Sequence, residues 1–269
     1  MTTPQPGKMF QSGELYEAYV GRWSRLAAPM FLDWLGLPNG LDWLDLGCGS
    51  GVLSEAILDR CDPHTVVGID PSEGMIAHAS ATILDTRASF AVGDARALPL
   101  PDNTVDVVGS ALVLNFVPAP EQPIAVAEMC RVVRPGGTVA AYVWDYADRM
   151  DMMRHFWDAA IALDPDAVAR DEATKFQVCH PEALTALLTN SGLRDVAATM
   201  LDVPTVFGNF DDYWQPFMTA QAPAPLYAQS LPPDQQSALR EDVRSRLPIA
   251  PDGSISMIAR AWAIRGTLF

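Results

Sequence analysis

The chain has 269 residues, of which 49% are hydrophobic, enough to build a substantial core. With 18 Lys and Arg against 33 Asp and Glu, it carries a net charge of −15, the reverse of the basic face that a phosphate-tracking protein needs. Apolar runs all fall short of the roughly 18–20 residues needed to cross a bilayer, so no membrane span is expected. The opening Met1-Thr-Thr-Pro-Gln-Pro-Gly-Lys8 lacks the apolar core of a secretory leader. Four cysteines, Cys48, Cys61, Cys130 and Cys179, are scattered with no C-x-x-C pair. This usage fits a reduced, cytoplasmic chain and offers no metal-binding cluster.

Residues 1–13 are rich in Pro, Gly, Thr and Gln and predict no regular structure. From Glu14 to Leu35, apolar residues recur at helical spacing. Gly21 and Pro29 interrupt the run, so two helices are expected. The stretch Tyr16-Glu-Ala-Tyr-Val-Gly-Arg-Trp-Ser-Arg25 gathers two Tyr, two Arg and a Trp. It reads either as a lid bringing Arg22 to a carboxylate and Tyr16 or Tyr19 to a reacting group, or as an amphipathic helix packing its aromatics.

The centre of the chain is Leu41-Asp-Trp-Leu-Asp-Leu-Gly-Cys-Gly-Ser-Gly-Val-Leu-Ser54. Leu41 to Leu46 reads as a buried strand carrying Asp45, and Val52 to Arg60 as a helix. Between them Gly47, Cys48, Gly49, Ser50 and Gly51 make a tight turn, with Cys48 as a small side chain. Strand, glycine turn and helix together form the nucleotide-binding corner of an open α/β sheet. The dinucleotide fingerprint G-x-G-x-x-G is not met, because the glycines run G-x-G-x-G and Val52 follows. Asp45, two residues ahead of Gly47, disfavours a pyrophosphate and suits a cation such as an α-amino group. This stretch resembles motif I of the class I S-adenosylmethionine (SAM)-dependent methyltransferases.

Thr65 to Asp70 is a β-branched, continuous run, as a buried parallel strand should be. It ends in Asp70, 25 residues after Asp45, where a carboxylate accepts from both ribose hydroxyls. Pro71 to Met75 opens the next helix, with Met75 placed to cover an adenine face or to pack in the core. Ala88 to Ala95 is the third strand and its end. Asp94 there is set to accept from an adenine amino group, with the Ala95 N–H meeting a ring nitrogen. Three successive strands thus end in acids at one edge.

Val92-Gly-Asp-Ala-Arg-Ala-Leu-Pro-Leu-Pro-Asp-Asn-Thr-Val-Asp-Val-Val108 is similar to a segment shared by the "type 11" methyltransferases, the group that includes the ubiquinone/menaquinone C-methyltransferases. Cys130-Arg-Val-Val-Arg-Pro-Gly-Gly-Thr-Val-Ala-Ala-Tyr-Val-Trp144 matches the helix end, turn and fifth strand of the same family. There the helix is expected to stop near Arg134, since Pro135 cannot continue it and Gly136-Gly137 reverse the chain. The resemblance covers residues 41–145 in four ordered motifs. It implies a Rossmann-like α/β fold with a seven-stranded, mostly parallel sheet, helices on both faces and an antiparallel last strand. It implies SAM as cofactor and S-adenosylhomocysteine as product. The candidate cofactor residues are Asp45, Gly47, Cys48, Gly49, Gly51, Asp70, Pro71, Met75, Asp94, Ala95 and Ser110, with Arg22 on the methionine carboxylate.

After strand four, Ser110-Ala-Leu-Val-Leu-Asn-Phe-Val117 lacks the Asn-Pro-Pro-Tyr pattern of amino-group methylation in DNA and certain proteins. Asn115 stands where relatives often carry a His; it can orient a substrate but cannot be its base. Other base candidates are His155, His180, Tyr146 and the N-terminal tyrosines, none decisive. Helices are expected over Arg149–Leu163, Pro181–Gly192, Phe210–Met218 and Pro233–Arg246, with strands over Asp195–Phe207 and Ser254–Ile264. The Pro-rich Gln221-Ala-Pro-Ala-Pro225 reads as a connection between helices. The expected organisation is a helical lid over 1–36, a SAM-binding core over 37–207, a helical cap over 208–252 and a final strand over 253–269. Cap aromatics Phe210, Tyr213, Trp214 and Phe217, with Trp144, point to an apolar or aromatic small-molecule acceptor; a pair of surface helices packing its own aromatics is the alternative. Methyl transfer to O, N or C is the leading function. A SAM-binding scaffold without turnover is the rival. An NAD-dependent oxidoreductase is disfavoured by the missing third glycine and the absence of a Tyr-x-x-x-Lys pair. The acceptor, the methylated atom and the oligomeric state are not set by the sequence.

Overall fold

The structure, a computed structural model, describes residues 21–269. Tyr16 and Tyr19, with the first part of the expected lid, lie outside the described residues. Two compact units are built from interleaved segments. One comprises Ser24–Val143, Val178–Leu201 and Trp262–Phe269; the other holds Trp144–Gln177 and Asp202–Ala261 together with residues 21–23.

In chain order the elements are α1 (Arg22–Leu35), β1 (Asp42–Leu46), α2 (Val52–Arg60), β2 (Thr65–Asp70), α3 (Glu73–Thr82), β3 (Ala88–Val92), β4 (Val105–Ala111), α4 (Gln122–Val132) and β5 (Val133–Trp144). Then follow α5 (Asp151–Leu163), α6 (Pro181–Asn190), β6 (Arg194–Phe207), α7 (Phe210–Thr219), α8 (Pro223–Ser230), α9 (Pro233–Arg246) and β7 (Ile255–Thr267). The seven strands form one sheet in the order β3-β2-β1-β4-β5-β7-β6.

β1 lies between β2 and β4 and is parallel to both. Trp43, Leu44, Asp45 and Leu46 are all buried, consistent with a central strand covered on both faces. The register pairs Asp45 with Gly68 on one side and with Gly109 on the other. β3 adds in parallel to β2, and β5 to β4. Successive strands therefore run outward in opposite directions from β1. The crevice beyond the carboxyl ends of β1 and β4 is the switch point where such sheets bind ligands.

β7 runs against β5: the Gly136 N–H donates to Leu268 O and the Asp145 N–H to Arg260 O, so numbers rise on one strand as they fall on the other. Toward β6 the same ordering holds. A Cβ built on Gly266 would lie 3.0 Å from Leu193, and Arg260 pairs with Asp202 at 2.7 Å. The antiparallel last strand is as expected.

The helix stops close to Arg134 as expected, but the Arg-Pro-Gly-Gly run forms a bulge inside β5 rather than a connecting turn. α4 stops at Val132, and β5 is already paired at Val133. Pairing then jumps from Val105–Val133 to Val107–Thr138. Gly137 is needed there because a Cβ would meet the Asp106 carbonyl at 2.5 Å. Two other expectations differ in detail. Pro29 does not divide the first helical run within the described residues; the continuous buried stripe Ala27, Ala28, Phe31, Leu32 and Leu35 holds α1 together through it. The Pro-rich connection is instead helix α8. Pro223 and Pro225 fall in its first turn, where the backbone N–H they lack has no helical partner anyway.

Candidate cofactor site

The site begins where β1 leaves the sheet. Gly47, Gly49 and Gly51 all have positive φ, at 72°, 52° and 91°, a region that side-chain-bearing residues rarely adopt. Their surroundings differ. A Cβ on Gly47 would lie 2.3 Å from Val113, and one on Gly51 2.4 Å from Ile83. Among the described residues nothing lies within 4 Å of a Cβ at Gly49, which leaves the main chain open there. The N–H groups of Gly47 and Cys48 both donate to Ile69 O, at 2.7 and 3.1 Å, tying the turn to the end of β2. Cys48 is buried, and burial pushes its thiol well above the usual range; it fills space and is no nucleophile.

Asp70 closes the turn from the β2 side. One of its oxygens accepts the Gly49 N–H at 3.0 Å and the other the Ser72 N–H at 2.8 Å. Burial raises its pKa, against these two hydrogen bonds. Ser72 caps α3 through the Met75 N–H, and Met75 is buried just inside that helix. Asp45 is fully buried beneath the turn. Its Oδ2 accepts from Ser54 Oγ at 2.7 Å, while Oδ1 has no hydrogen-bond partner among the described residues. Burial, with the Asp70 charge as a lesser cause, pushes its carboxyl up to about 7.

Asp94 follows Gly93, whose N–H donates to Asp70 O at 3.1 Å. Its carboxylate is held by Arg96, which donates both its own N–H, at 2.9 Å, and its guanidinium. The Arg96 guanidinium holds the Asp94 carboxyl below the usual range. On the β4 side, Ser110 Oγ donates to Leu46 O at 3.1 Å, stapling β4 to β1 one residue before the glycine turn. Leu112 has a positive φ of 61°, and its N–H donates to Tyr142 O. The helical turn Leu114–Phe116 follows, anchored by Gln122, whose amide donates to Leu114 O and Val117 O. Asn115 in that turn is buried, and its Oδ1 has no hydrogen-bond partner among the described residues.

An adenosine with an amino-acid tail fits these residues. The Gly49 main chain, uncovered by any described residue, leaves room for it, and the Asp70 and Asp45 carboxylates are of the chemistry that could take its hydroxyls and its cationic tail.

Residues 44–137 match the family of methyltransferase domains. A methyltransferase of Mycobacterium bovis without an assigned role is 35% identical over 177 residues, which cover 64% of this chain and 69% of that protein. This chain belongs to the class I SAM-dependent methyltransferases. A second relative, the 2-methyl-6-phytyl-1,4-hydroquinone methyltransferase of Synechocystis sp., is 31% identical over 188 residues, 69% of this chain. The match spans only 57% of that protein's length. Among solved structures, the phosphoethanolamine N-methyltransferase 2 of Haemonchus contortus in complex with S-adenosyl-L-methionine superposes with a TM-score of 0.55 at 14% identity, covering 90% of this chain and 52% of that one. It shares the fold. SAM is the cofactor of the family, and the seven-stranded Rossmann-like sheet is the family's fold.

For a class I methyltransferase the remaining candidates fall in the second unit, except His180, which lies in the first. Arg22 pairs with Asp212 at 3.0 Å, and its guanidinium lies over the rings of Trp23 and Phe207, at 4.4 and 4.6 Å. Trp144, at the end of β5, is buried, and its indole N–H has no hydrogen-bond partner among the described residues. Tyr213 and Phe217 are wholly buried and Trp214 nearly so. Phe217 stacks on Phe156 with centroids 4.5 Å apart, and Tyr213 donates its hydroxyl to Met152 O at 2.7 Å. Tyr213→Phe should therefore lower stability by about 1 kcal/mol, read as a shift in the denaturant midpoint. An unchanged midpoint would mean that this bond contributes nothing to folding. His155 sits on α5, half-buried, and burial lowers its pKa. His180 precedes Pro181 at the start of α6, with no side-chain capping bond.

Reading by residue type missed three features of these units. Arg96 was visible as an arginine two residues after Asp94. Val113, the apolar cover of Gly47, had no sequence signal. Nor did Glu172, buried within an outwardly polar segment.

Proposed function

We propose that this protein transfers the methyl group of SAM to a small-molecule acceptor bearing an apolar or aromatic ring. Bound at the glycine turn, the cofactor supplies a sulfonium methyl already activated for in-line displacement. The observation that carries the reading is Asp70, a half-buried carboxylate fixed by two main-chain N–H groups beside Gly49, over which no described residue lies.

The chain's own work is positioning and exclusion of water. Asp70 presents fixed oxygens to a ribose, and Asp94 to the adenine amino group. Met75 and Cys48 give the turn apolar walls, and Val113 covers Gly47. Asn115, neutral at any working pH, orients the acceptor through its amide and takes no proton from it. An acceptor that carries an ionisable hydroxyl or acidic C–H near an apolar ring is the class favoured here, because one relative acts on a substituted hydroquinone.

Mass spectrometry after incubation with SAM and a panel of hydroquinones, phenols and amines tests the proposal. Formation of S-adenosylhomocysteine in step with a methylated hydroquinone or phenol is expected. Tight SAM binding with no methylated product across the panel would overturn transfer in favour of a binding role.

A further inference from the structure

We infer that Arg96 sets base specificity in the cofactor site by fixing Asp94 as a one-bond acceptor, an inference that rests on the reading of Asp94 as the adenine contact. The geometry is a fork. Arg96 Nε donates to Asp94 Oδ1 at 2.8 Å and to Oδ2 at 3.1 Å, and Nη2 donates to Oδ2. The Arg96 main-chain N–H also donates to Oδ1, at 2.9 Å. An ionised carboxylate has about four acceptor positions in its plane. The two inner ones face the guanidinium, and the outer one on Oδ1 takes the main-chain N–H. The outer position on Oδ2 remains.

One acceptor position in a fixed plane matches one N–H of an exocyclic amino group. It repels an exocyclic carbonyl, which offers only lone pairs. Arg96 is itself held. Its remaining terminal nitrogen, Nη1, donates to Glu121 at the N-terminal end of α4, and the Asp94 carbonyl accepts the Ala97 N–H at 3.0 Å. The following loop is anchored as well: the Leu98 N–H donates to Glu128, and Arg131 donates to Leu98 O and Leu100 O. Asp94 is thus locked from both sides of the loop. The guanidinium also favours the ionised carboxylate, which keeps Asp94 from turning donor toward a carbonyl. Arg96 touches no cofactor atom in this scheme and is a positioning residue.

Calorimetric affinities for S-adenosylhomocysteine and for S-inosylhomocysteine, which replaces the amino group by a carbonyl, test the inference. The wild-type chain should prefer the adenosyl ligand strongly, and Asp94→Ala should reduce that preference to a few-fold. Arg96→Ala should cut it by about tenfold, the size of a lost charge-assisted contact, by weakening adenosyl binding while inosyl binding holds or improves. Arg96→Lys, which keeps the charge but loses the fork, should fall between. A preference unchanged in both Arg96→Ala and Arg96→Lys, with Asp94→Ala still collapsing it, would overturn the role of Arg96 alone. A preference as large in Asp94→Ala as in the wild-type chain would overturn the reading of Asp94 itself. Should Arg96→Ala fail to fold, Arg96→Lys and Glu121→Gln carry the test, Glu121→Gln with an expected two- to threefold loss of preference.

Discussion

Replacing Asp70 by Ala should weaken SAM binding by at least about a hundredfold, because two hydrogen bonds to a charged acceptor, each worth about 1.5–3 kcal/mol, disappear together. The carboxylate has a double task. Its oxygens already accept the N–H groups of Gly49 and Ser72, and their remaining lone pairs are aimed by those bonds. Asp70→Asn is therefore no mild change: its amide nitrogen must face either the Gly49 N–H or the Ser72 N–H, donor against donor. It should lose affinity nearly as far as Asp70→Ala. Folding should survive both changes, since removing a carboxylate whose pKa burial raises relieves a desolvation cost. Calorimetric titration of SAM, with a thermal melt as control, reads both. Affinities within about threefold of wild type in a folded Asp70→Ala protein would mean that the turn holds something other than a ribose.

The glycine turn, Asp45, Asp70 and Asp94 were legible because their signals are local. A short apolar strand, a turn that needs positive φ and an acid at the strand's end all lie within a few residues of one another. Parallel order could be inferred for the same reason, from strand and helix alternating at short range. What escaped notice depends on contacts between distant segments. The stack of Phe156 on Phe217 joins positions 61 residues apart, and periodicity along one helix cannot name its partner on another. The aromatics of α7 signalled apolar surroundings, and the structure places them in packed interior. Pro223 and Pro225 read as a break because proline cannot sit in a helix interior, yet their place in the first turn of α8 removes that objection. The Arg-Pro-Gly-Gly stretch gave the right irregularity and the wrong element. Its glycines serve a bulge against the Asp106 carbonyl rather than a connecting turn.

Glu172 shows how a buried acid hides in a polar segment, and it makes the chain's stability depend on pH. It opens the short helix Glu172–Lys175 and is only 1% exposed. Its neighbour Asp171 takes the salt bridge, with Arg154 at 2.6 Å. That leaves Glu172 with neutral donors, the Trp157 indole N–H and the Ala224 N–H. Burial, reinforced by the Asp171 charge, pushes its carboxyl from 4.5 up to about 7. The folded state therefore binds this proton more tightly than the unfolded one. The stability that Glu172 contributes is complete below pH 4.5, declines as the pH rises, and is lost above about pH 7. At about 1.4 kcal/mol per pKa unit the whole swing is about 3 kcal/mol. Asp45, raised from 3.8 to about 7, adds a slope of the same sign.

Glu172→Gln keeps an oxygen to accept from Trp157 and has no charge to desolvate. Its urea midpoint should gain on wild type steadily between pH 5 and 7 and hold a constant lead above, with the Asp45 slope still present in both proteins. Parallel midpoints across that range would show that the Glu172 carboxylate is ionised in the folded chain, and that the second unit opens enough to let water reach it.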